Sequence, residues 1–150
     1  MSFPSRVAYE TMIYRLTENY PQVSASTLRL FSTSALTAIV EGSIHFQNGV
    51  ELKVVEVLDF KSGRIQRYSY TVFRRTEKIR WYDPEPHPGV PELASTFPHH
   101  LHEPPDIKHN RKPAVGISFT EPNLATLISD CTELGAGLAK ELPAGARQVN

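Results

Sequence analysis

The chain has 150 residues, with 16 basic and 16 acidic side chains that give a formal charge of zero. That length fits one domain, and the balanced charge argues against nucleic-acid binding by bulk field alone. A mean hydropathy of -0.31 and 40% hydrophobic content exclude a disordered chain, and no apolar run approaches the roughly 18 residues of a membrane span.

The opening residues Met1 to Ser5 lack the charged-then-apolar pattern of a signal peptide, and the single cysteine, Cys131, cannot form an internal disulfide. The expectation is a cytoplasmic protein whose single domain covers 1–150. Its core runs from about residue 5 to 135 and its tail, 136–150, is flexible.

Ser5 to Tyr20 reads as a helix, because Tyr9, Met12, Ile13, Leu16 and Tyr20 recur at three- and four-residue spacing before Pro21. Thr27 to Phe31 reads as a short strand. Leu36 to Phe46 then alternates, with Ala38, Val40, Ile44 and Phe46 on one face and Thr37, Glu41, Ser43 and His45 on the other. Gln47-Asn48-Gly49 and Lys61-Ser62-Gly63 connect this strand to Val50–Phe60 and then to Arg64–Arg74, with glycine third in each loop. Three-residue loops pair Phe46 with Val50, Ile44 with Leu52, Val40 with Glu56, Phe60 with Arg64, Glu56 with Tyr68 and Val54 with Tyr70. A two-residue Asn48-Gly49 turn would mix the apolar and polar faces. A turn near Thr76-Glu77 returns Ile79–Tyr82, with Trp81 near Val72 and Asp83 near Tyr70.

After Asp83 the periodicity stops. Eight of the twelve prolines lie between Pro84 and Pro113, and five of the six histidines between His87 and His109. So long a segment with little secondary structure of its own points to a functional loop or to a wrap over the sheet. Ile117–Phe119 could add a last strand. Thr120 then caps a helix whose stripe is Leu124, Leu127, Ile128, Cys131 and Leu134, and Gly135 stops it. The expected fold is α+β: an antiparallel meander of four to five strands, N- and C-terminal helices packed on one face, and a long Pro/His-rich loop.

Three places could carry chemistry. Glu56 falls in the apolar register between Val54 and Leu58, where a carboxylate must be paired or its pKa rises. Such groups serve as general acids or bases, or are satisfied structurally by a neighbour such as Tyr68. In Arg67-Tyr68-Ser69-Tyr70 the tyrosines could stack on bases and the arginine could hold a phosphate, although alternation sets Arg67 on the opposite face. Aromatic residues are also good strand formers. Arg74, Arg75, Lys78 and Arg80 form a basic patch at the next turn, either a phosphate contact or a solvated tip.

The third place is the densest: Trp81-Tyr82-Asp83 with His87, then Phe97-Pro98-His99-His100-Leu101-His102. One or two imidazoles could exchange protons near neutral pH without metal. No cofactor is expected. The minority alternative is a divalent metal held by His99, His100 and His102 with Asp83 or His87. Adjacent histidines in an extended segment point opposite ways, so at most two of the three share an ion easily. Histidines bonded to backbone beneath a proline-rich wrap are the remaining reading.

The order of these elements, Gly42-Ser43 to Glu56, Arg67-Tyr68-Ser69-Tyr70, Arg80-Trp81-Tyr82-Asp83, Pro86-His87-Pro88 and Phe97-Pro98-His99-His100-Leu101-His102, resembles the TumE family of small bacterial and archaeal proteins. The aromatic-Pro-His-His-x-His element is its most specific part, and the likeness runs from about Leu36 to Leu134. It implies the toxin of a type II toxin–antitoxin pair with a cognate antitoxin as partner, a genetic role more than a reaction; RNA is the candidate substrate if the protein is an enzyme. In an enzyme reading His99, His100 and His102 supply the acid and base with Glu56 as partner. Arg67 or Arg80 meets phosphate charge, Tyr68 or Tyr70 stacks a base, and Trp81, Asp83 and His87 complete the site. The alternative is a non-catalytic binding module with a structural or metal-stabilised histidine loop. A homodimer remains open to either.

Overall fold

Alternating burial along three long strands builds the centre of the molecule. The computed structural model describes residues 3–141, with side chains through Ala136. Strands β1 (Val23–Ser26), β2 (Arg29–Ser32), β3 (Thr37–Phe46), β4 (Val50–Asp59), β5 (Arg64–Arg74), β6 (Glu77–Asp83), β7 (His100–His102) and β8 (Arg111–Pro113) form one antiparallel sheet. Its order is β1-β3-β4-β5-β6-β7-β8, with β2 also on β3. Helix α1 (Arg6–Tyr14), the single turn α2 (Leu16–Asn19) and helix α3 (Leu124–Glu141) complete the α+β architecture. No helix among the described residues is long and apolar enough to cross a membrane.

The apolar face of the sheet is the one the alternation predicts. Val40, Ile44, Leu52, Val54, Leu58, Tyr70 and Val72 are all buried, and Tyr9 and Ile13 of α1 and Leu124, Leu127, Ile128 and Cys131 of α3 close over them. The expected pairs Val40–Glu56, Ile44–Leu52, Glu56–Tyr68 and Val54–Tyr70 are formed.

Several expectations need correction. The sheet has eight strands, because the Pro/His-rich segment is not structureless: it contributes β7, β8 and a tight 3-10 turn over Pro91–Thr96. The first helix breaks at Arg15, and β1 was not anticipated. β1 and β2 are two pieces of one edge that crosses β3 at Gly42, where a Cβ would meet the Thr27 carbonyl oxygen at 2.6 Å.

The β4–β5 loop has four residues, since Asp59, not Phe60, pairs with Arg64. The Asp59 carboxylate accepts from the Lys61 and Ser62 amides at 2.8 and 3.2 Å, which fixes the longer turn. An irregularity after Val57 then restores the Glu56–Tyr68 register. The next turn is tighter than expected, with Arg74 opposite Glu77. A shift beside Val72 puts Trp81 against Thr71 and Tyr82 against Tyr70, so Tyr82, not Asp83, joins the buried face.

Ile117–Phe119 forms no strand, because the Asn123 carboxamide takes both the amide and the carbonyl of Ser118, each at 2.9 Å. Asn123, not Thr120, precedes the first turn of α3, and its carbonyl accepts the Leu127 amide at 3.0 Å. Gly135 does not stop α3, which runs to Glu141. Its missing side chain admits Asn48 of the β3–β4 turn, whose Nδ2 donates to the Cys131 carbonyl at 3.3 Å. Of the expected flexible tail 136–150, residues 136–141 continue α3 and 142–150 lie outside the described residues.

Candidate functional site

β7 decides how the candidate residues divide. Asp83 pairs with His100, Tyr82 with Leu101 and Trp81 with His102. Strand alternation puts Tyr82 and Leu101 on the helix-covered face with Tyr70. Asp83, Trp81, His100 and His102 therefore face the other way, with Arg67, Ser69 and Thr71. His99, one residue before β7, turns back to the helix side.

On the helix side Glu56 is fully buried. The Tyr9 hydroxyl donates to its Oε1 at 2.6 Å and the Tyr70 hydroxyl to its Oε2 at 2.5 Å, while Asn123 Nδ2 donates to the Tyr70 oxygen at 3.0 Å. Burial pushes the Glu56 carboxyl above the usual carboxylate range, and the two phenolic donors pull it only partly back. Burial, then the nearby Glu56, raises both phenols.

Beside this network Tyr68 stacks on Tyr70 with ring centroids 4.6 Å apart, and its hydroxyl lies 2.6 Å from His99 Nδ1. Phe119 packs 4.5 Å from the His99 ring, whose pKa burial lowers, with His100 adding to the effect. Thr96 anchors the same residue twice. Its carbonyl accepts the His99 amide and its hydroxyl donates to the His99 carbonyl, both at 2.7 Å. Tyr68 and Tyr70 are both buried, with one ring face given to each other.

The opposite face holds the second group. His100 Nε2 and His102 Nε2 are 3.1 Å apart, and Asp83 Oδ2 lies 3.3 Å from the latter and 3.5 Å from the former. All three side chains are buried. Each is held from outside the cluster. His100 Nδ1 lies 3.1 Å from the Pro98 carbonyl, Asp83 Oδ1 accepts the Glu85 amide at 2.6 Å, and Trp81 stacks on the His102 ring at 4.6 Å. His87 reaches the cluster from the proline-rich segment, its ring centroid 5.0 Å from that of His100. It also lines a cavity of about 470 Å³ together with Val90, Pro91, Ala94 and Phe97.

The predicted site residues thus form two groups on opposite faces of one sheet. Glu56, Tyr68, Tyr70 and His99 belong to one, and Asp83, His100, His102, Trp81 and His87 to the other. The two arginines also part company. Arg67 is exposed on the cluster's face, whereas Arg80 donates to the Tyr82 hydroxyl at 3.2 Å and to Glu103 at 2.7 Å. Of the basic patch, Arg74 and Arg75 stay at the hairpin tip, where Arg75 adopts a positive φ of 57°.

Sequence reasoning missed Tyr9 and Asn123 as members of the Glu56 network. A tyrosine on an apolar stripe needs a partner for its hydroxyl, which signals Tyr9; no local signal marks Asn123, whose carboxamide goes to Ser118 and Tyr70.

A protein-family model described as toxin TumE matches residues 13–134. No curated protein and no solved structure gives a significant match.

Proposed function

Because the chain belongs to the TumE toxin family, we propose that it is a growth-inhibiting toxin that cleaves RNA. In this reading its reaction centre lies on the face away from the helices, at Asp83, His100 and His102. The convergence of two imidazoles and a carboxylate, buried and each oriented by a further contact, is the observation that carries this. His100 bonds to backbone through Nδ1, yet both histidines turn their Nε2 atoms toward each other and toward a carboxylate.

The surface around the cluster supports a single-stranded nucleic acid as substrate. Arg67 is exposed on the same face, and Lys53, across from Thr71, sits 5.1 Å over the Phe73 ring. Farther along, an open groove of about 450 Å³ is lined by Arg29, Phe31, Lys53 and Val55, with Glu41 as its acid. Local cations interleaved with aromatic and apolar side chains suit a sugar-phosphate backbone with splayed bases, even on a neutral molecule. In this account Arg67 meets phosphate and His87, at the cavity, is placed to move a proton. Glu56, Tyr70 and Tyr68–His99 hold the opposite face rigid beneath the centre. A cognate antitoxin would inhibit by covering the exposed surface around this buried centre.

The test is induced expression in a bacterial host of the wild type beside His100→Ala and Asp83→Asn, at matched soluble protein, with total RNA followed over time. The wild type is expected to arrest growth and degrade RNA, and the variants to do neither. Growth arrest with intact RNA overturns cleavage. Variants that remain soluble and toxic overturn the assignment of the centre, leaving a binding module whose histidines are structural.

A further inference from the structure

We infer that Asp83, His100 and His102 form a binding site for one zinc-type divalent cation, with three protein ligands and a fourth position open. The geometry carries this. Four donors arranged tetrahedrally about an ion at about 2.0–2.1 Å lie about 3.3–3.4 Å from one another. The three distances here are 3.1, 3.3 and 3.5 Å, so the atoms outline one face of such a tetrahedron without any side chain having to move far. No fourth His, Cys, Asp or Glu joins the group among the described residues. Three protein ligands and a free corner are the pattern of catalytic sites, where water or a phosphate oxygen takes the fourth place.

Proton accounting agrees. A carbonyl only accepts, so the Pro98 carbonyl fixes the His100 proton on Nδ1 and leaves a lone pair on Nε2. That lone pair faces the Asp83 Oδ2 carboxylate oxygen and the other Nε2. His102 Nε2 carries at most one proton for two facing acceptors, so one of the three contacts is left without a hydrogen. A divalent cation satisfies all three atoms together. With the ion on Nε2, His102 carries its proton on Nδ1, which has no protein acceptor.

The outer contacts are those that ligating groups usually have. That holds for two of the three: His100 donates to a backbone carbonyl and the non-ligating Asp83 oxygen accepts an amide, while His102 is held by the stack of Trp81 on its ring. Imidazole with carboxylate suits zinc better than magnesium or calcium, which take oxygen donors. His99 is excluded from the set, because its ring is held by Tyr68 on the opposite face.

The site stands on this geometry whether or not RNA is the substrate. The experiment is direct metal analysis of the full-length protein after loading with Zn²⁺ and gel filtration, followed by Zn²⁺ titration. One equivalent per chain is expected. Asp83→Asn, His100→Gln and His102→Gln should each weaken binding by more than about tenfold, the scale on which even losses of outer contacts act. His109→Ala is the control, since His109 sits on the surface with Asp106 at 2.9 Å and would account for adventitious binding.

Replacement by Co²⁺ should give the intense visible bands of tetrahedral coordination in the wild type, a readout that needs no variant to fold. Sub-stoichiometric zinc in the wild type overturns the inference, as does zinc lost on His109→Ala but kept on His100→Gln. Stoichiometric zinc in a protein that fails to arrest growth overturns the toxin reading and leaves the site standing. Growth arrest by a protein that binds no zinc does the reverse.

Discussion

The Tyr68 hydroxyl lies 2.6 Å from Nδ1 of His99, and this contact fastens the start of β7 to the helix-covered side of the sheet. Tyr68→Phe removes the hydroxyl and keeps the ring against Tyr70 and Phe119. The expected loss is about 1 kcal/mol for one hydrogen bond. In a chain of this size that lowers Tm by roughly 2–4 °C. Growth arrest should persist. An unchanged Tm with growth arrest abolished would move Tyr68 into the reaction itself.

Glu56 gives the stability a pH dependence of definite sign. Its carboxyl is raised in the folded chain, chiefly by burial, so the fold favours the protonated form. The stabilisation is complete below the unfolded value of about 4.3 and is lost as pH rises through the folded value. Glu56→Gln stays neutral throughout. Thermal melts from about pH 4 to about pH 8 should show the variant gaining on the wild type as pH rises. A constant difference across that range contradicts the assignment.

Gly135 and Asn48 form a testable couple. A Cβ on Gly135 would come within 1.8 Å of Asn48 Nδ2, so Gly135→Ala should destabilise by about 1–3 kcal/mol as an overpacking change. With Asn48→Gly as background the obstruction is gone. Alanine should then gain the helix propensity it holds over glycine, about 1 kcal/mol. Urea denaturation of the four proteins measures the coupling, and additive effects would refute it.

Arg67 is exposed and lies on the face that carries the histidine cluster. Arg67→Ala should leave Tm within about 1 °C, since surface substitutions rarely matter to stability. RNA cleavage in vitro should fall about tenfold or more, and its salt dependence should flatten, because a phosphate contact releases counterions. An unchanged salt slope would remove Arg67 from the substrate path.

Strand alternation made the sheet's centre legible, because a one-residue slip would turn Ile44, Leu52 and Val54 to the wrong face. The same periodicity could not see β7, which has three residues, two of them histidines. Pairing with β6, not composition, makes it a strand, and that pairing is what brings Asp83 beside His100. Nor could alternation see the shift beside Val72, which exchanges the faces of Tyr82 and Asp83. The opposite orientations of His99 and His100 were legible, since adjacent residues of an extended segment always diverge. That Glu56 would also be answered by Tyr9 depended on how α1 lies across the sheet, which no local pattern states.

The cluster's two sides come from the last residue of β6 and from β7, so residues 84–99 leave the sheet and return to it at fixed points. The entropy of closing such a segment grows slowly, by only about 0.6 kcal/mol for each doubling of its length. Insertions at the exposed Pro88-Gly89 turn are therefore cheap so long as Glu85, Thr96 and Pro98 keep their contacts to Asp83, His99 and His100. The fold separates what must be kept from what is free to diverge. Descendants of this chain can rewrite the exposed rim at Pro88 and Gly89 while inheriting an unaltered centre.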